Sequence, residues 1–306
     1  MQRADLILQG AFDVHAHGYP EFTLQMPPRV DNVEWGRLAV SAGMRGFVVK
    51  SHVWPTTTAA HMLNALYPEL TVLGSIACNP PAGGLNPVSV EMALQAGARI
   101  VWMPTWSAWH ESQHPNIFRD RMRPYITTLS TDADSAPDLA ILDPAGALLS
   151  QVHRIVELCG RYGATIATGH LPVAASLVLS EHAARLGVRL ILTHPLSGSV
   201  GASVEDQRAI ADRGGFIEHV FIGCMPMHQR LDPRRIVESI EAVGPEHVVL
   251  GSDAIEAWNP PAPEVLRMFI ATLLALGVSE DAVHLMTHDN PARAVGLSSP
   301  AGEPNG

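Results

Sequence analysis

The sequence predicts a (β/α)8 TIM barrel with a lid inserted between its fourth and fifth strands. Three observations carry the barrel. Eight short runs rich in Val, Ile and Leu recur along the chain, nearly continuous in apolar character, as parallel strands covered on both faces should be. Amphipathic stretches with helix-start and helix-stop residues separate the runs, giving eight strand–helix units in about 250 residues. The competing doubly wound sheet calls for a glycine-rich phosphate loop after its first strand, and the first run here has none.

The strand runs, in order, are Asp5 to His15, Gly46 to His52, Thr71 to Cys78, Arg99 to Met103, Ala164 to Thr168, Arg189 to Thr193, Gly215 to Val220 and His247 to Gly251. Between the fifth and sixth, a helix starting near Pro172 runs to Arg185 and is closed by Gly187. Ser203 with Asp206 resembles a capping box, with Asp in place of the usual Glu or Gln. Asp232-Pro233 supplies a cap and a first-turn proline to a helix ending at Gly244.

One connection is too long for a loop and a helix. Its segment Thr105 to Ala145 is expected to be the lid over the barrel mouth, with a surface excursion or an oligomer contact as the alternative. It carries Trp106, Trp109, His110 and His114, and Tyr125 to Leu129 could pair with Leu139 to Leu142 as a hairpin. Residues 1–297 are read as one domain, and the Pro/Gly/Ser-rich stretch 298–306 as a disordered tail.

Barrel chemistry sits at the C-terminal strand ends. Run one ends Asp13-Val14-His15-Ala16-His17, and strand alternation would turn both histidines inward, about 6–7 Å apart. That spacing lets two imidazoles reach one divalent cation at about 2.0–2.1 Å. Run two ends Lys50-Ser51-His52, run five Thr168-Gly169-His170, run six Thr193-His194-Pro195, run seven Glu218-His219 and run eight Gly251-Ser252-Asp253. Of Glu218 and His219 only one should enter the mouth, while Asp13 is read as structural or as support for a ligand. His110, His114 and His228 are read as solvated loop residues, and Cys78 as a core thiol.

His15-Ala16-His17, His170, His194 and Asp253, together with Asn290-Pro291-Ala292-Arg293-Ala294-Val295-Gly296-Leu297, resemble the amidohydrolase superfamily of metal-dependent hydrolases from Asp5 to Leu297. The resemblance implies one metal on His15 and His17, a second on His170 and His194, and Asp253 as ligand and general base. It also implies a cofactor of one or two divalent cations, with zinc first and manganese or iron as alternatives. Binuclear members usually supply a carbamylated lysine from strand four. Here strand four ends Trp102-Met103-Pro104-Thr105 and offers no ligand.

Lys50, the single lysine of the chain, lies on strand two instead. A neutral amine can add CO2 and bridge two cations, which a guanidinium cannot do. A cationic Lys50 gripping a substrate carboxylate, or a Schiff-base lysine, are the other readings. His52 is a candidate ligand, substrate contact or supporting group, and His194 or His52 could polarise a carbonyl under attack. The expected reaction is hydrolysis of a small amide, cyclic imide, lactone or ester. A mononuclear non-oxidative decarboxylase, with His194 as catalyst and Lys50 holding the carboxylate, is the alternative. A barrel kept only as a scaffold would lack ligands.

Bulk composition narrows the partners. Net charge is −10 and the pI is about 5.8, with no basic stripe for nucleic acid. No apolar run approaches the ~18 residues needed to span a bilayer, and no signal-peptide core opens the chain. Three cysteines, Cys78, Cys159 and Cys224, are far apart and fit a reducing cytoplasm. A small-molecule substrate and a homo-oligomeric state are expected.

Overall fold

The computed structural model describes residues 3–22, 24, 27–113 and 138–297. His114, the 125–129 half of the expected hairpin and the tail 298–306 lie outside these residues. Eight parallel strands follow one another in chain order around the sheet. They are β1 (Phe12–His17), β2 (Gly46–Lys50), β3 (Thr71–Ala77), β4 (Ala98–Trp102), β5 (Thr165–Ala167), β6 (Leu190–Leu192), β7 (Phe216–Val220) and β8 (Val248–Gly251). β8 meets β1 through main-chain bonds just past its own end. The Asp253 N–H donates to the His15 carbonyl at 2.7 Å and the His17 N–H to the Ala254 carbonyl at 3.2 Å. Asp13 reinforces this seam, its Oδ1 accepting from the main-chain N–H of His15 and of Ser252 at 3.0 and 3.1 Å.

The helices are α1 (Arg3–Leu8), α2 (Asn32–Ser41), α3 (Thr57–Leu66), α4 (Pro87–Gln95), α5 (Trp109–Gln113), α6 (Ser150–Tyr162), α7 (Val173–Arg185), α8 (Val204–Ala211), α9 (Pro233–Val243), α10 (Ala262–Ala275), α11 (Glu280–Thr287) and α12 (Asp289–Val295). Two apolar layers result. Phe12, Val14, Val48, Ile100 and Trp102 pack within the ring of strands, while Phe47 and Val49 join the larger layer that includes the buried helix residues. The alternation of Phe47, Val48 and Val49 between layers is the period-two signature of a strand buried on both faces.

The expected local signals act as physics requires. Ser203 and Asp206 form a reciprocal capping box at α8, with bonds of 3.1 and 3.0 Å. Asp232 caps α9, whose first residue is Pro233. The closing helix α12 seals the N-terminal end of the barrel. Asn290 Nδ2 donates to the carbonyls of Pro245 and Val248 at 2.7 Å, and Ala294 and Val295 join the inner apolar layer.

Three expected strand bounds need correction. The run from Asp5 does not open as a strand: Arg3–Leu8 is helical, with Ala4, Ile7 and Leu8 buried at helical spacing, and Gly10 at φ +81° turns the chain into β1. β2 ends at Lys50, leaving Ser51 and His52 in the following loop, and His247 belongs to a 3-10 turn, Pro245–His247. In the long connection, Leu139 pairs with Ala108 and Leu142 with Leu148 among the described residues.

Candidate metal centre

β1 places its histidines by means of a bulge. Phe12 and Asp13 pair with Gly46 and Phe47, but Ala16 and His17 pair with Val49 and Lys50, so β1 holds one extra residue between them. Strict alternation would give His15 the parity of Asp13. Instead, Val14 packs in the inner layer and the next residue, His15, also reaches inward, with its ring 4.6 Å from that of Trp102. Ala16 returns to the outer layer, and His17 lines the pocket at the mouth.

Asp253 meets both histidines. Its Oδ1 lies 3.0 Å from His15 Nε2 and 3.0 Å from His17 Nε2. The three donor atoms of His15, His17 and Asp253 lie within 4.8 Å of one another. Asp253 takes a left-handed backbone, φ +52°, and His194 one at φ +25°. Among the described residues the only other non-glycine of this kind is Arg230. Such conformations are costly, and here two of them aim side chains into one pocket.

Five histidines each have a supporting oxygen near Nδ1. His15 Nδ1 is 3.1 Å from Glu218 Oε2, and His17 Nδ1 is 3.3 Å from Glu21 Oε2. His52 Nδ1 lies 2.5 Å from Glu21 Oε1, His170 Nδ1 2.5 Å from Glu111 Oε1, and His194 Nδ1 2.9 Å from Ser197 Oγ. The opposite ring nitrogen, Nε2, is thereby turned away from the supporting group. His17, His52, His170, His194, Lys50 and Asp253 all line one cavity at the mouth. Val220, Ile222, Ile255, Ser197, Ser199, His228 and Gln229 complete most of its wall.

Lys50 ends β2 and is buried. Its Nζ lies 2.9 Å from His15 Nε2 and 4.6 Å from the centre of the Trp102 ring. The last residue of strand four is therefore an indole packed under the amine. His170 and His194 stand side by side, ring centres 4.9 Å apart, with the His194 ring 6.1 Å from that of His15. They border the His15–His17–Asp253 group without being part of it.

The charges show what this donor set fits. Asp13, Glu21, Glu111 and Glu218 are buried beside the partly shielded Asp253, and Lys50 is the one Lys or Arg buried with them among the described residues. Burial lifts Asp13 to about 6. Burial also opposes ionisation of Glu21 and Asp253, but the neighbouring histidines outweigh it and hold both well below the carboxylate range. Burial pushes Lys50 down, favouring a neutral amine, and pushes His52 down to about 3. His194 is driven far down by burial and by His170. An excess of buried carboxylate converging with imidazole Nε2 atoms is the environment a divalent cation neutralises.

Glu218 is the inward member of its pair. His219 points outward and contacts Ser239 Oγ at 2.9 Å, and burial holds it near 3. His228 lines the cavity rather than standing apart in solvent. Trp106 is buried and Trp109 borders a separate apolar cavity, so among the described residues neither lines the central one. Sequence reasoning missed Glu21 and Glu111. Glu21 follows His17 by four residues, a weak signal in hindsight. Glu111 lies in the insertion and carries no signal of its own.

A family of unknown function, DUF6282, matches residues 10–218. No curated protein matches the chain. Among solved structures, an amidohydrolase from Pseudomonas aeruginosa is similar at 14% identity and a TM-score of 0.60, over 96% of this chain and 98% of that one. The probable dipeptidase PvdM from the same organism is similar at 15% identity and a TM-score of 0.58, over 96% and 97%. A putative 2-pyrone-4,6-dicarboxylic acid hydrolase from Pseudomonas putida is similar at 15% identity and a TM-score of 0.56, over 94% and 97%. At these identities the likeness shows a shared barrel fold.

Proposed function

The chain belongs to the family of unknown function DUF6282, and we propose that it is a metal-dependent hydrolase acting on a small amide, cyclic imide, lactone or ester. One observation carries the reading: His15 Nε2, His17 Nε2 and Asp253 Oδ1 converge at the C-terminal mouth of an eight-stranded barrel. The fold shared with hydrolytic enzymes supports it.

In this proposal His15, His17 and Asp253 hold a divalent cation, with zinc the best match to two imidazoles and a carboxylate. His170 and His194 border it and would hold a second cation if one is present. When bound, such a cation supplies Lewis acidity towards a carbonyl and towards water. Asp253, ionised at neutral pH, accepts the proton of the attacking water and returns it to the leaving group. Where no second cation is bound, His194 is left to polarise the substrate carbonyl. Lys50, if its amine attacks CO2 and loses one proton, becomes a carbamate able to bridge two cations.

A second reading has its own support. Among the described residues the three-donor groups are His15–His17–Asp253 and His17–Glu21–His52, and neither includes His170 or His194. One cation, with His194 left for proton transfer and Lys50 facing a carboxylate, suits a non-oxidative decarboxylase. Metal analysis and a substrate panel separate the two. Two equivalents of zinc, reduced to one by Lys50→Arg, with turnover of amides, imides, lactones or esters, supports the hydrolase in its bridged form. One equivalent with hydrolytic turnover supports it in mononuclear form. CO2 release from an aromatic carboxylate, with no hydrolysis, overturns it.

A further inference from the structure

Glu21 serves two imidazoles at once. It lies in the loop after β1 and is buried. Its Oε1 accepts from the main-chain N–H of His52 at 2.7 Å and lies 2.5 Å from His52 Nδ1, while its Oε2 lies 3.3 Å from His17 Nδ1. The two rings are stacked, 4.6 Å between centres and 15° between planes. Phe22 covers the outer face of His52, with 5.1 Å between ring centres.

We propose that Glu21 is a positioning residue shared by the metal centre and the substrate position, fixing His17 as a ligand and His52 as a hydrogen-bond acceptor. An ionised carboxylate only accepts, so the bond to His52 places the hydrogen on its Nδ1, and the longer 3.3 Å approach of Oε2 favours the same placement on His17. A neutral ring with its hydrogen on Nδ1 has its acceptor lone pair on Nε2. Stacked rings anchored at the same end direct their Nε2 lone pairs side by side, and parallel lone pairs do not converge on one cation. His17 Nε2, beside Asp253, takes the cation, and His52 lines the adjoining cavity.

Two consequences follow for His52. It cannot donate a hydrogen bond from Nε2 to a substrate carbonyl, so polarisation falls to other groups. It can only accept there, so any group that meets it at Nε2 must be an N–H or O–H donor. The His17 half of the proposal rests on the metal-dependent reading given above, whereas the His52 half does not.

The test is long-range 1H–15N NMR of the histidine rings, on metal-free and zinc-loaded full-length protein, with zinc affinity measured by chelator competition. His52 is expected to carry its hydrogen on Nδ1 in both states, and His17 on Nδ1 when zinc is bound. Glu21→Gln is expected to release His52 towards the Nε2–H form and to weaken zinc binding by about 10–100-fold. Glu21→Asp, which keeps the charge, is expected to recover part of both. A wild-type His52 protonated on Nε2 overturns the proposal without any variant being needed. Unchanged tautomers and affinity in a folded Glu21→Gln protein overturn it as well. If zinc does not bind at all, the metal-dependent reading and the His17 role fail together, while the His52 tautomer still decides the rest.

Discussion

His15 holds the sharpest conflict among the side chains of the site. Burial favours its neutral form, yet the Asp253 and Glu218 carboxylates outweigh burial and Lys50 and raise it to about 9. A cation on Nε2 must displace that proton. Metal affinity is therefore predicted to rise with pH up to about 9, by about tenfold per pH unit, as one proton is released per cation. Isothermal titration in buffers of different ionisation enthalpy measures the released proton, and affinity flat between pH 7 and 9 would contradict it. Much of this chemistry was legible from residue types: the His15/His17 pair, Asp253 and the lone Lys50 stand at apolar run ends. The supporting carboxylates were not. Glu21 offers only its four-residue spacing from His17, and nothing local tells Glu111 from a surface glutamate, because its partner His170 lies after another strand.

Elements place those residues, and their turns are the sensitive points. Gly169 sits between β5 and His170 at φ +59°. A Cβ there would collide with the Met103 carbonyl oxygen and lie 2.7 Å from that of Pro104, both backbone atoms that cannot swing away. Gly169→Ala is predicted to destabilise the fold by about 1–3 kcal/mol and to displace His170. Urea unfolding measures the loss, and a variant as stable as the parent would contradict it. The strands were readable because both faces are buried and the runs are Val/Ile/Leu-rich. The first was misread because Leu6-Ile7-Leu8 is too short for periodicity to separate helix from strand. The β1 bulge was invisible because register is set by the neighbouring strand and not by β1 alone.

At the scale of the whole barrel, the seam between β8 and β1 is also the floor of the site, so closure and cation binding draw on the same residues. Zinc at a thousandfold excess over its Kd would add about 4 kcal/mol to unfolding stability. Acid acts in the opposite direction through His219, which burial holds near 3 against an ordinary value near 6.5. Between those values the unfolded chain binds one more proton there than the folded chain. Stability contributed by this group is thus predicted to fall as pH drops from about 6.5 towards 3, by up to about 1.4 kcal/mol per pH unit. Urea unfolding of wild type and His219→Gln across that range should show a slope reduced by one proton in the variant, and parallel slopes would contradict the assignment. The central claim is that His15, His17 and Asp253 share a cation. An anomalous-scattering crystal structure of zinc-loaded protein tests it most directly. The predicted result is a peak about 2.0–2.2 Å from His15 Nε2, His17 Nε2 and an Asp253 carboxylate oxygen. Zinc bound elsewhere, or none bound at saturating concentration, would contradict it.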